Sequence, residues 1–316
     1  MLRTWWMVCI AGSLLLGLGG CEGASDAEAP AASNEAQPHY VVTLPVLASI
    51  VQPVVSGRAT TQALLDVGDS PHTFDPRPST VQAARQSTAL FYGADVLDGW
   101  AAQVQAPAHH ALLDMLPDAY VRRFGDDAGA VPRSDPAHGA EAHAHGAGTR
   151  DPHFWLDPVA VRALMPALAD TLCALDPEGC DTYRTNAQAV ADSLQALHRD
   201  MEATLQSVQA RPFMASQPFL HYLVRRYGLT QAAVIEASPA HEPSARRIHQ
   251  LTEQAQAQGV VLMVRQRQLP ATAAQAVAEG AALPMVALDP LGGPSFDTYP
   301  ALMRHNAATL RQALAP

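Results

Sequence analysis

The feature that most constrains the fold of this chain is a long amphipathic segment near its middle. Over residues 183–208, apolar side chains recur at spacings of three and four, which is the period of one face of an α-helix. At about 1.5 Å per residue this helix is roughly 39 Å long, more than the width of a small domain. It can belong to a helical bundle or run along two domains and join them. Its apolar positions are Tyr183, Ala187, Val190, Leu194, Leu197, Met201, Leu205 and Val208.

Strand-like and helix-like segments alternate on both sides of the long helix. The runs at 40–44, 89–92 and 260–264 suit buried strands, and 81–86, 158–175, 271–279 and 299–314 suit helices. Ser79 is a candidate N-cap for the helix at 81–86, and Asp157 with Pro158 for the next. Alternation of this kind predicts an α/β fold with parallel sheets. We therefore expect two (βα) lobes with the long, rigid helix as the joint between them.

The N-terminus has the features of an export signal. Arg3 precedes an apolar stretch from Trp5 to Leu18 that is too short to span a membrane, and Leu-Gly-Gly leads to Cys21. Small residues before a cysteine resemble a bacterial lipobox, whereas an ordinary signal with an incidental cysteine is the alternative. We predict a signal peptide over 1–20, a lipid on Cys21 and a disordered tether over 21–38. The protein is then periplasmic and anchored to the membrane.

Charge and cysteine content narrow the function further. The formal net charge of −10 argues against a nucleic-acid partner. With Cys9 removed in the signal and Cys21 lipidated, Cys173 and Cys180 remain, with six residues between them. In an oxidising compartment two cysteines this close can form a small-loop disulfide. Two free thiols are the alternative.

Four short segments place metal-binding side chains on stiff loops. His72 lies in a proline-rich loop, His153 precedes a helix start, Gln217 and His221 lie where a loop enters a helix that Gly228 ends, and Asp289 follows a strand. Ligands of open α/β sheets bind beyond the carboxyl ends of the strands. Two imidazoles and a carboxylate there form a candidate site for Zn²⁺, Mn²⁺ or Fe²⁺.

A histidine-rich segment lies just before the second of these loops. His138, His143 and His145 are separated by small residues that cannot form a core, which predicts a solvated, mobile loop over 138–148. Neutral imidazoles at this density bind transition metals weakly. We favour metal capture as its role, and a flexible loop that happens to be rich in histidine is the alternative.

Five short segments together are typical of one protein family. They are Ser-Pro-His72-Thr-Phe-Asp-Pro-Arg-Pro-Ser, Gly-Ala-Asp at 93–95, Asp-Pro-His153-Phe-Trp-Leu-Asp-Pro, Glu242-Pro-Ser and Leu-Asp289-Pro-Leu-Gly. With these segments the chain resembles the solute-binding lipoproteins of bacterial zinc/manganese ABC importers, the cluster A-I family. The similarity spans nearly all of the mature chain, in order, and the histidine-rich loop resembles the zinc branch. It implies two (βα) lobes joined by one helix, with a metal in the cleft between them bound by His72, His153 and Asp289.

The sequence departs from the family pattern at its third ligand. That ligand usually follows a serine, as histidine in zinc proteins and glutamate in manganese or iron proteins, but here Gln217 follows Ser216. An amide oxygen is a weak, neutral ligand for zinc, and Gln217 is retained in the expected ligand set. His221, one turn further along the same helix face, is the alternative, although packing elsewhere is its default role.

The expected function is high-affinity capture of a divalent metal, with zinc first and manganese or iron as alternatives, and delivery to an ABC-type permease. We expect a monomer without enzymatic activity. A zinc hydrolase that uses the same ligands is a second hypothesis, although the sequence contains neither His-Glu-x-x-His nor Gly-x-Ser-x-Gly. An adhesin or a metal-storage lipoprotein is a third. The expected divisions are an N-terminal lobe over 39–177, a linking helix over 178–209 and a C-terminal lobe over 210–316.

Overall fold

The computed structural model describes residues 37–125, 148–236, 243–293, 295–296 and 298–316. The signal peptide, Cys21 and nearly all of the tether predicted from the sequence lie outside these residues. The same holds for Glu242 and for the loop histidines His138, His143 and His145.

The N-terminal lobe contains a four-stranded parallel sheet with the strand order β2-β1-β3-β4. The central strand β1 is buried because side chains from both faces of the sheet pack into the core, and Tyr40, Val41 and Val42 are fully covered. The strands are β1 (His39–Val42), β2 (Thr60–Ala63), β3 (Ala89–Tyr92) and β4 (His109–Ala111), and the helices are α1 (Pro45–Val55), α2 (Pro78–Gln86), α3 (Asp95–Asp98) and α4 (Pro158–Leu175).

The C-terminal lobe repeats this arrangement with a second parallel sheet in the order β6-β5-β7-β8. Its strands are β5 (Phe213–Ala215), β6 (Gln231–Val234), β7 (Leu262–Gln266) and β8 (Met285–Leu288). The helices are α6 (His221–Tyr227), α7 (Ala245–Ala257), α8 (Thr272–Gly280) and α9 (Tyr299–Leu314), and Gly228 ends α6 in the left-handed conformation. The two-lobe α/β fold expected from the sequence is confirmed.

The long helix α5 (Cys180–Leu205) lies between the lobes in sequence and packs against both. Its apolar face contacts α1 and α4 on one side and α9 on the other, and a short 3-10 turn (Gln206–Val208) extends it. One hydrophobic cluster therefore runs through both lobes, from Leu47 in α1 to Leu302 in α9. At the start of α5, Cys180 forms a disulfide with Cys173 of α4.

Local sequence signals located the start of helix α4 and misplaced the start of helix α2. Helix α4 begins after Asp157, whose side chain accepts a hydrogen bond of 2.9 Å from the Val159 amide. Helix α2, however, begins at Pro78 after Arg77, so Ser79 is not its N-cap. Proline is suited to the first helical position because that residue's amide has no partner within the helix.

Helix α4 is the helix in the described part of the chain that is long and apolar enough to cross a membrane. Its residues Leu164, Leu168 and Leu172 are buried in the core of this fold. We therefore interpret α4 as a core helix rather than a membrane span.

Candidate metal centre

The candidate ligands lie on loops at the carboxyl ends of the parallel strands. His72 is in the loop after β2, Gln217 and His221 follow β5, and Asp289 directly follows β8. His153 is on the loop that leads into α4. The topology therefore directs segments from both lobes toward one region, as expected for an open α/β sheet.

The clearest feature of this region is a buried carboxylate between two imidazoles. Asp151 is fully buried; its Oδ1 lies 2.7 Å from Nδ1 of His153 and its Oδ2 lies 3.5 Å from Nδ1 of His221. Oδ1 also accepts a hydrogen bond of 2.9 Å from the His153 backbone amide. Burial by itself raises the pKa of Asp151, but the charge and hydrogen bonds of His153 and the contact with His221 outweigh it, so the pKa is lowered. The carboxylate is therefore ionised and accepts hydrogen bonds from its neighbours.

His72 lies close to this pair. Burial, and secondarily the charge of His153, lowers the pKa of His72 to about 4. Its imidazole is therefore neutral at physiological pH, the form that binds a metal.

Asp289 is held in place by donors on three sides. Its Oδ1 accepts hydrogen bonds from the Leu291 and Gly292 amides, at 3.0 and 2.9 Å, and from Nε2 of Gln268 at 2.6 Å. The side-chain amide of Asn306 in α9 binds the Asp289 backbone twice: Oδ1 accepts a hydrogen bond from the Asp289 N–H, and Nδ2 donates one to the Asp289 carbonyl. Oδ2 lies 3.8 Å from the guanidinium of Arg267, so this oxygen faces positive charge.

Gln217 makes its contacts within the C-terminal lobe. Its Oε1 accepts a short hydrogen bond from the Ser216 hydroxyl, and its Nε2 donates to Oε2 of Glu236 at 3.1 Å. The side chain is almost completely buried.

Trp155 joins the loops of the two lobes. Its indole Nε1 donates a hydrogen bond of 2.8 Å to the carbonyl of Pro290, the residue after Asp289. Its ring contacts the imidazole of His153 edge to face, with 5.5 Å between centroids. The loops that carry His153 and Asp289 are thus tied together.

Across the described residues, no group of three His, Cys, Asp or Glu side chains is close enough together to hold a metal ion. The structure brings His153 and His221 together on Asp151 and sets His72 near His153. It does not bring Gln217 onto Asp151.

The sequence reasoning assigned no role to Asp151 or Asn306. A carboxylate two residues before a candidate ligand histidine is a signal for Asp151, because ligand imidazoles commonly donate their second N–H to such a group. No local signal points to Asn306, which lies 17 residues from Asp289.

Two α/β lobes with candidate metal ligands on the loops between them have the architecture of a solute-binding protein. A family model described as "Zinc-uptake complex component A periplasmic" matches residues 41–313, and the chain belongs to this family.

Two relatives illustrate the similarity. The chain is 28% identical over 318 residues to the high-affinity zinc uptake system protein ZnuA of Brucella suis biovar 1 (strain 1330), covering 87% of this chain and 91% of that protein. It is 26% identical over 296 residues to the zinc-binding lipoprotein AdcA of Streptococcus pneumoniae serotype 4, covering 89% of this chain and 58% of that protein.

Solved structures share the fold. A crystal structure of ZnuA matches with a TM-score of 0.72 at 20% identity, covering 88% of this chain and 99% of that one. A Zn(II)-bound variant of AdcAII from Streptococcus pneumoniae matches with a TM-score of 0.71 at 21% identity, covering 88% and 98%.

Proposed function

We propose that this protein captures zinc between its two lobes and delivers it to the permease of an ABC-type importer. The observation that carries the proposal is the buried Asp151 carboxylate with an imidazole at each oxygen, next to the neutral imidazole of His72. Asp289 supplies a carboxylate from the C-terminal lobe. The fourth protein ligand is Gln217 or His221.

Ligand chemistry favours zinc as the transported ion. Neutral imidazoles suit zinc, whereas manganese prefers sites made mostly of carboxylates, carbonyls and water. The names of the relatives also refer to zinc uptake and zinc binding. Manganese and iron remain alternative ions, and each is tested by direct competition with zinc.

The anchor is the second part of this proposal. The lipobox-like run before Cys21, and a relative named as a lipoprotein, support attachment to the membrane beside the permease. A Cys21→Ser variant should be released from membranes or left uncleaved, whereas the wild type fractionates with membranes as a monomer. Full recovery of the wild-type protein in a soluble periplasmic extract would contradict the anchor and leave the zinc site untouched.

Zinc binding is tested by competition with a chromophoric chelator. The wild type should bind one zinc ion tightly, and His72→Ala or His153→Ala should weaken binding severely. His249→Ala is the matched control because this histidine is exposed on α7. Equal affinities in all four proteins, or growth in zinc-poor medium that does not depend on the gene, would refute the proposal.

A further inference from the structure

We infer that the third imidazole ligand of this protein is His221 rather than any group at position 217, and that Asp151 positions His221 and His153 as one unit. This inference rests on the proposed zinc capture and specifies the site that performs it.

The side-chain amide of Gln217 is held by hydrogen bonds that direct it into the C-terminal lobe. The Ser216 hydroxyl accepts a hydrogen bond of 3.2 Å from the backbone N–H of Gln266. The hydroxyl hydrogen is therefore available to donate to Oε1 of Gln217. A carboxylate oxygen of Glu236 can only accept, so it must face the Gln217 Nε2 group that it contacts. Both ends of the amide are therefore engaged, and its orientation is determined by its neighbours.

His221 stands one helical turn later and lies beside the carboxylate that also contacts His153. It is the first residue of α6 and is 6% exposed, and its Nδ1 faces the same carboxylate as Nδ1 of His153. Asp151 lies in the N-terminal lobe and His221 in the C-terminal lobe, so this contact crosses between the lobes. One buried charge thereby sets the orientation of a ring from each lobe.

The shared carboxylate also selects which nitrogen binds. One carboxylate oxygen lies 2.7 Å from Nδ1 of His153 and the other lies 3.5 Å from Nδ1 of His221, which favours the tautomer with hydrogen on Nδ1 in both rings. In that tautomer Nε2 carries the lone pair, and it lies on the side of each ring opposite Asp151. Both rings then present the same nitrogen to a metal, in the arrangement common for zinc-bound histidines.

The consequence for metal choice is direct. A ligand set of His72, His153, His221 and Asp289 contains three imidazoles and one carboxylate, which suits tetrahedral zinc. A set with Gln217 in place of His221 exchanges one imidazole for a neutral oxygen and binds zinc more weakly. The imidazole of His221 thus replaces the one that zinc proteins of the family have at the position of Gln217.

Zinc affinities of four variants test the inference. His221→Ala should weaken zinc binding as severely as His153→Ala, and Gln217→Ala should leave it nearly unchanged. The exchange variant Q217H/H221G should bind zinc as weakly as H221A because the side chain at 217 points into the C-terminal lobe, and recovery of the wild-type affinity would contradict the inference. X-ray absorption of the zinc complex should show three imidazoles in the wild type and two in His221→Gln, which serves as a second variant if H221A folds poorly.

Asp151→Asn tests the positioning role. Zinc affinity should fall by about 10- to 100-fold, as is usual when the partner of a ligand histidine is lost. Histidine ¹⁵N NMR of the metal-free protein should show two Nδ1–H tautomers in the wild type that become mixed in D151N. A purely structural role would lower Tm without changing these tautomers, and that result overturns the role of Asp151.

The outcomes separate the two claims. If Q217A loses zinc binding and H221A keeps it, the inference is wrong while zinc capture stands. If the wild type binds no zinc, the proposed function fails and the inference fails with it.

Discussion

The indole of Trp155 donates a hydrogen bond of 2.8 Å to the Pro290 carbonyl, joining the His153 loop of one lobe to the Asp289 loop of the other. Tyr299 of α9 in turn donates a hydrogen bond of 2.7 Å to the Trp155 carbonyl. Trp155 is fully buried, so these bonds are shielded from water. The two loops are thus connected by an aromatic side chain that is not itself a candidate metal ligand.

Replacing Trp155 with Phe should weaken zinc binding several-fold. The variant leaves the Pro290 carbonyl without its donor, which costs about 1–3 kcal/mol, and lets the Asp289 loop move relative to His153. Tyr183→Phe is the control because it also removes a buried hydrogen bond, to Asp176 at 2.6 Å, outside the candidate metal centre. Chelator competition and urea unfolding should show lower stability in both variants and weaker zinc binding only in W155F.

The Arg226–Asp157 ion pair connects α6 of the C-terminal lobe to the start of α4, and breaking it should destabilise the fold. Arg226 Nε lies 2.8 Å from both oxygens of Asp157, which is 2% exposed. Arg226→Ala leaves that carboxylate buried and unpaired, at a cost of about 3 kcal/mol in the free energy of unfolding. The exposed pair of Arg304 with Asp200 is the control, and Arg304→Ala should cost less than about 1 kcal/mol. Similar losses in urea titrations of the two variants would contradict this account.

The Cys173–Cys180 disulfide should stabilise the protein modestly. The bond closes a loop with a sequence separation of 7, for which the chain-entropy model gives about 2–3 kcal/mol. The double variant Cys173→Ser/Cys180→Ser should unfold at lower urea concentration than the oxidised wild type and at the same concentration as the reduced wild type. Thiol titration of exported protein without reductant should detect neither cysteine, and two reactive thiols would disprove the pairing.

Asp176 should make stability depend on pH in the acid range. Its carboxylate binds Arg58 through two bonds of 2.6 and 2.7 Å and accepts from Tyr183, so its pKa lies below the usual value, chiefly through Arg58. The pKa of Asp176 in the folded protein is lower than the unfolded value of about 3.9. The stabilisation that comes from its ionised carboxylate is therefore fully present above pH 4 to 5 and is lost as the pH falls through the folded pKa.

The comparison of wild type with Asp176→Asn isolates this effect. The wild type should be more stable than the variant at pH 7, and the difference should shrink in acid as Asp176 is protonated. Urea titrations at several pH values measure it. Asp170→Asn is the control because Asp170 pairs with Arg184 in solvent, and its effect should be small at every pH.

Deleting residues 138–145 should slow zinc acquisition at low zinc and leave the affinity of the main site nearly intact. Imidazoles on a loop that the sequence predicts to be mobile must lose conformational entropy to chelate, so we expect His138, His143 and His145 to bind weakly and to raise the local zinc concentration. Stopped-flow binding rates and equilibrium competition separate the two effects. A loop of equal length with alanine at the three histidines is the control, and loss of tight binding in the deletion would make the loop a source of a primary ligand.

Much of the fold was predictable because its signals are local. Asp157 and Pro158 mark the start of α4, Gly228 ends α6, and the spacing of apolar residues locates α5 within three residues at each end. Capping groups and helical periods act between residues a few positions apart, so the sequence displays them directly. The start of α2 differs from the prediction because Pro78, next to the predicted N-cap Ser79, takes the first helical position. Arg77, in extended conformation, is then the N-cap residue.

The amino-acid sequence alone shows which loops carry the candidate histidine and carboxylate ligands. These loops can be located in the sequence because they follow strand ends and contain proline. The tertiary structure decided which of these side chains meet. Asp151 and His221 are 70 positions apart, and their contact exists only because α6 docks against the His153 loop while α5 packs on both lobes. The sequence places Gln217 in the expected ligand set and His221 as its alternative, but the contacts around each residue differ, and their partners, such as Glu236 for Gln217 and Asp151 for His221, are distant in sequence.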